Sequence, residues 1–196
     1  MLGLDDSPEI RGLVDDAIRV FGDEIEPMLA GLIAEIDEEI LQLLTQKISV
    51  LMLHDRVNDN PDVPYVTIWQ SGQTGITQVY MSPKLSKLLG YSPSELGGIS
   101  YGELVGDKII SYFEEQHEFR EETLQKDAAR TAREEEYLGN RQWEGFYQIK
   151  KKDGTFIWVM DRSTLTGYIN TKRDNVVYVS EGILLESTEM MARGQK

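Results

Sequence analysis

Histidine and cysteine, the residue types most used for nucleophilic and metal chemistry, are scarce in this chain, and the spacing of its other reactive residues does not gather them. Its 196 residues include two histidines and no cysteine. Without cysteine, disulfides, cysteine-ligated zinc, iron–sulfur clusters and thiol nucleophiles are excluded together. His54 and His117 form no His-x-x-x-His pair, the spacing that puts two metal ligands on one helix face. His54 closes a long helix, where a cation meets the carboxyl-end dipole favourably, so a surface or capping role is expected. The alternative, a phosphoryl acceptor, is disfavoured by the loop-like DRVNDN that follows it. Asp153, Asp161 and Glu181 are not spaced as a catalytic pair, and Asp153 belongs to a turn. Lys150, Lys151 and Lys152 read as the solvated tip of a hairpin. No set of nucleophile, base and orienting partner is legible, and the expectation is a protein that is not an enzyme.

Charge narrows the partners. Asp and Glu number 34 against 20 Lys and Arg, a formal net charge of -14. Nucleic acid and anionic membrane surfaces need clustered basic residues, so neither is an expected partner. The acidity is read as a solvated exterior, with an acidic docking face as the alternative. A hydrophobic content of 40% suffices for one well-packed domain plus an extra element. No apolar run approaches the length of a membrane span, and the expected location is cytoplasmic, as a whole protein or as a fragment of a larger one.

The elements that would position these residues begin with helices. Ile10, Leu13, Val14, Ala17, Ile18 and Phe21 share a helical face. Gly22-Asp23 is expected to interrupt it, and a second, longer helix is expected over 23–56. Two readings of its apolar stripe stay open. It packs on the chain's own sheet, or Ile25, Leu29, Leu32, Ile36 and Ile40, at heptad-like spacing, face a second copy in a homodimer. NDNPDVP is a loop, and strands are expected over 65–70 and 76–81. Two Ser-Pro starts follow. Ser82 caps a short helix with Pro83 at its first position and Gly90 at its end; Ser92, Pro93 and Glu95 repeat the device with a capping box. Helix is expected over about 106–136, then strands over 143–150, 155–168 and 175–185, with Lys152-Asp153-Gly154 as a hairpin turn. The domains read as a helical extension over 1–57, a core over 64–189 and a linker start over 190–196.

Two blocks in this order, VYMSPKLSKLLGYSPSEL and WEGFYQIKKKDGTFIWVMD followed by NVVYVSEGILLESTE, resemble the PAS domain, a small sensor fold. The resemblance covers roughly the last two-thirds of the chain. It implies an α+β fold, a five-stranded antiparallel sheet with helices on one face, preceded here by the helical extension. It further implies a signal-transduction module, as in two-component systems, that takes a small ligand or partner in a helix-lined pocket and signals through terminal helices to a downstream effector. Pocket candidates are Trp69, Tyr80, Phe113, Phe119, Trp143, Phe146, Tyr147 and Trp158, of which strand alternation lets about half face inward; plain core is the other reading. Lack of cysteine removes the flavin–cysteine photosensors and the cysteine-linked chromophore type. His117 lies where haem-binding members keep an axial histidine, which gives a haem sensor, or a flavin sensor, as the alternative; a solvent-facing histidine among Glu114, Glu115, Glu118, Glu121 and Glu122 is the plain reading. The family's His-Pro-Asp-Asp-Arg-like motif is absent from 99–141, and LESTE is a degenerate form of its closing D-[IV]-T-E.

Overall fold

The computed structural model describes residues 8–57, 61–72, 76–92, 95–96, 99, 101–113, 118–122 and 143–187. The fold is α+β. Helices α1 (Pro8–Leu29) and α2 (Glu38–Val57) lead into strands β1 (Val63–Gln70) and β2 (Thr77–Met81). The short helices α3 (Pro83–Leu89) and α4 (Tyr101–Leu104) follow, then β3 (Val105–Phe113), β4 (Glu118–Glu122), β5 (Trp143–Lys150), β6 (Phe156–Asn170) and β7 (Asn175–Glu186). The strand order is β2-β1-β7-β6-β5-β3-β4. Two compact units share these elements: Met1–Asn60 with Tyr65–Tyr80 and Thr166–Ser180, and Pro61–Pro64 with Met81–Leu165 and Glu181–Lys196. In the first of them the helices share a core with strands β1, β2 and β7.

In the first unit α1 runs through Gly22-Asp23, where a break was expected. Gly in a helix interior costs about 1 kcal/mol relative to Ala. Burying Phe21 and Ile25, at about 1.5–3 kcal/mol each, outweighs that. The break falls at 30–37 instead. Pro27 denies the last turn of α1 an N–H, and the chain tightens, with Leu32 N–H donating to Leu29 O at 2.8 Å and Glu35 N–H to Leu32 O at 2.9 Å. Helix α2 then starts with Glu38 and Glu39 and carries Arg56 in its last turn, each sign at the dipole end that favours it. Ala17, Phe21, Ile25, Leu29, Leu32, Ile36, Ile40, Leu44 and Ile48 form one buried stripe against Val66, Ile68, Val177 and Val179.

A polar clamp fixes the turn between the helices to the β6–β7 turn. Asn170 is fully buried. Its Nδ2 donates to Glu35 O (3.0 Å) and Asn175 Oδ1 (2.9 Å), and its Oδ1 accepts from Asp37 N–H at 3.2 Å. Lys172 Nζ donates to Ile33 O and Ile36 O, and the Asp37 carboxylate accepts from the N–H groups of Thr171 and Lys172. The Thr171 N–H is the main reason that the Asp37 carboxyl is held below its ordinary pKa.

In the second unit the first Ser-Pro start folds as expected, and of the second the Ser92–Glu95 capping bonds are described while Pro93 and Gly97-Gly98 lie outside the described residues. Ser82 Oγ accepts from Lys84 N–H at 3.1 Å, and Gly90 closes α3 at φ 78°. Glu95 Oε2 accepts from Ser92 N–H at 2.9 Å while Ser92 Oγ accepts from Glu95 N–H at 3.3 Å, a complete capping box. Lys152 Nζ donates to Glu95 at 2.7 Å and is the first cause of a carboxyl pKa pushed down to about 2. The hairpin at Lys152-Asp153-Gly154 forms, with Gly154 at φ 85°.

The helix expected over 106–136 is contradicted where residues are described: Val105–Phe113 and Glu118–Glu122 are strands, and the remainder of that range, 114–117 and 123–136, lies outside the described residues. The run VGDKIISYF is rich in Val, Ile, Tyr and Phe, which favour a pleated surface once a partner strand is present. β3 pairs antiparallel with both β4 and β5, with a register shift between Val105 and Ile109. Gly106 permits the close approach, since a Cβ there would sit 3.3 Å from Gln148 Cβ. β3 and β4 thus add to the sheet that the resemblance limits to five strands.

Candidate functional site

Strand β1 is buried at every position, so both of its faces are covered. Alternation divides them. Val66 and Ile68 meet the helical stripe, as do Val177 and Val179 of β7. The other face of the same two strands carries Tyr65, Thr67 and Trp69 on β1 and Tyr178 and Ser180 on β7. Ser71 N–H donates to Val176 O at 2.8 Å. Two residues further along each strand, in opposite directions, Trp69 stacks on Tyr178 with centroids 5.7 Å apart. Both contacts define an antiparallel register in which Thr67 lies opposite Ser180. Thr67 Oγ1 and Ser180 Oγ are buried and make no hydrogen bond; Gln78 Nε2 on β2 is likewise unmatched.

The second unit places another aromatic and polar set on one sheet face. β5 and β6 pair with Gly145 opposite Asp161 and Tyr147 opposite Val159. Trp143, Gly145 and Tyr147 alternate onto the face that holds Asp161 and Ser163, all five buried. The Tyr147 hydroxyl donates to Asp161 Oδ2 at 3.1 Å. A Cβ at Gly145 would meet the Trp143 indole at 2.8 Å, so the indole lies over the glycine. The W-x-G-x-Y spacing therefore has a steric cause: three residues on one face, the middle one empty.

The sequence candidates separate accordingly. Trp69 belongs to the first set, Trp143 and Tyr147 to the second. Trp158, half-buried, stands on the opposite face of β6, with its carbonyl accepting from Ser187 N–H at 2.8 Å. Tyr80 packs with the helical stripe, and its hydroxyl donates to Asp55 Oδ2 at 3.3 Å. Burial raises its pKa well above 10.0, with the Asp55 charge adding to the effect. Phe146 is buried on the face of β5 opposite Trp143. His117 and the side chains of Phe113 and Phe119 lie outside the described residues. Ile25, Leu29, Leu32, Ile36 and Ile40 are core side chains, at most 8% exposed, so the stripe that could have faced a second copy is buried in the chain's own core with α2 and strands β1 and β7. His54 sits half-buried in the last turn of α2, as expected. Among the described residues no group of three or more His, Asp or Glu is placed to hold a metal, and no helix is long and apolar enough to cross a membrane.

Thr67, Tyr178 and Ser180 were not singled out from the sequence. Alternation in two strands assigned correctly would have put them on one face, but their pairing depends on which strands are neighbours.

No family model and no curated protein matches the chain. Among solved structures it is similar to a sensory box histidine kinase/response regulator from Burkholderia thailandensis E264 (18% identity, TM-score 0.39, covering 67% of this chain and 82% of that one). It is also similar to an RNA-binding light-oxygen-voltage receptor (15% identity, TM-score 0.44, covering 97% of this chain and 57% of that one). A third is the PAS domain of the fruit-fly ELK potassium channel (16% identity, TM-score 0.39, covering 71% and 97%).

Proposed function

We propose that this chain is a non-catalytic sensory or interaction module of the PAS kind, cytoplasmic, which takes a small ligand or partner and passes its state through α1 and α2 to an effector. One observation carries the reading. In the first unit, β1 and β7 are a common wall: Val66, Ile68, Val177 and Val179 hold the helical stripe on one side, and Trp69 stacks on Tyr178 on the other. A guest that shifts Trp69 moves the backbone to which Ile68 is also attached, and close-packed interiors transmit such shifts. The two sets of helix contacts then have different free energies, which is what a population shift requires.

Hydrogen exchange tests it. Trp69→Phe should speed exchange in α2 by roughly 3–10-fold beyond any change in global stability, although Trp69 lies on the face away from the helices. Altered exchange in β1 and β7 with α2 unchanged would remove the proposal's mechanism. Homodimer formation belongs to the same proposal. With the stripe buried, the large apolar residues exposed on α1, among those whose exposure is described, are Leu13, Val20 and Met28. Light scattering on Leu13→Lys with Val20→Lys should then show the mass of a monomer, and an intact dimer would exclude that face.

A further inference from the structure

We propose that Thr67 and Ser180 are the polar anchor of a small-molecule subsite in the first unit, and that its guest is an uncharged molecule with a hydroxyl or carbonyl on the edge of a flat apolar ring. This rests on the sensory reading and names the class of ligand it would take. Thr67 is 5% exposed and Ser180 1%, yet neither hydroxyl has a hydrogen-bond partner. Native proteins pair the great majority of such groups with protein, ordered water or ligand. Here two unmatched hydroxyls lie opposite each other on neighbouring strands and not at scattered positions, so a single polar atom placed between them can satisfy both. A hydroxyl donates and accepts, which suits a ligand hydroxyl, or a carbonyl accepting from both.

The surroundings set the rest of the ligand. Next along the same face are Trp69, 2% exposed, and Tyr178, stacked on it. Tyr65, Thr67, Trp69, Tyr178 and Ser180 include no ionisable acid or base that is charged at neutral pH. Among these residues an ionic guest would find no counter-charge, which favours a neutral one. A flat ring matches the aromatic pair beside the anchor, and a few convergent polar groups in an apolar surround are the usual make-up of such sites.

The test uses the whole chain, the double variant Thr67→Val/Ser180→Ala, and two probes of equal shape, p-cresol and p-xylene. Unmatched hydroxyls add no stability, so the thermal midpoint of the variant should stay level or rise. A marked fall would mean that both hydroxyls are already paired within the fold, and would overturn the proposal. In NMR titrations p-cresol should shift the Trp69 indole signal of the parent protein. The variant should bind p-cresol about tenfold more weakly and p-xylene no more weakly than the parent does. Equal weakening of both probes, or no p-cresol binding to the parent, would overturn the anchor. Either result leaves the exchange experiment on α2 untouched, since a partner protein can supply the same input.

Discussion

The two faces of β1 and β7 in the first unit differ in how completely they are finished. Toward the helices the surface is dry and closed: Val66, Ile68, Val177 and Val179 meet a stripe in which Ile36, Leu44 and Ile48 have no exposure. At the turn between the helices, Asn170, Asp37 and Lys172 pair the polar groups of its rim. On the opposite face an aromatic stack adjoins two hydroxyls with no partner. One side of a strand can thus be built for stability while the other keeps polar capacity in reserve, because alternation lets each face be specified independently.

The largest blow to the closed face is a cavity within it. Leu44→Ala should cost about 3–4 kcal/mol in urea denaturation, since its surroundings are fully packed. A loss under about 1 kcal/mol would mean that the helices are not held by this stripe. Asn170→Ala comes next. It strands the Asp37 N–H and Glu35 carbonyl and should cost about 2–3 kcal/mol, while Asn170→Asp should leave part of the clamp. In the second unit, Gly145→Ala tests whether an empty position under an aromatic ring is required there. The indole must move, with a loss of about 1–3 kcal/mol and a shifted Trp143 fluorescence.

The smallest effect is acid sensitivity of the exposed rims. The Asp37, Glu95 and Asp153 carboxyls are all held below their ordinary pKa, led by the Thr171 N–H, the Lys152 ammonium and the Thr155 hydroxyl respectively. With the folded pKa lowered, the unfolded chain takes up protons first. The stabilisation is whole above the ordinary carboxylate range and is lost as pH falls through the folded values. For Glu95 the window runs from 4.5 down to about 2. Urea midpoints should be level above about pH 5 and decline below it. Glu95→Gln should make that decline shallower, and an unchanged decline would show that the capping box and its lysine contribute nothing.

Much of the architecture was legible because its signals are local. Ser82-Pro83 and Ser92-x-x-Glu95 announce helix starts through side-chain capping that needs no distant partner; the first helix forms, and so do the capping bonds of the second. Strands β5, β6 and β7 fell within two residues of expectation, since turn chemistry at Gly154 and Asp174 brackets them. Two readings failed for the opposite reason. Residues 105–113 carry enough charge and periodicity to suggest helix, and become strand by pairing with β5, remote in sequence. Gly22 suggests a break, but α1 packs along α2, and the stripe on either side of Gly22 is buried in a core that includes strands remote in sequence. The pocket candidates are recognisable as aromatic but not as members of one site: Tyr80 turns to the helices, and Trp69 stacks on Tyr178, which lies far from it in sequence.

By itself the sequence determined what lies within a few residues of its own cause: caps, turns, strand alternation, the apolar stripe, and the exclusion of cysteine chemistry. Tertiary structure alone decided which surface the stripe covers, that 105–113 extends a sheet, and that Thr67 faces Ser180 beside Trp69 and Tyr178. The physical reason is that a side chain's face is set by local backbone geometry, whereas its neighbour across the sheet is set by strand order, and residues 67 and 180 meet only once β7 has taken its place beside β1.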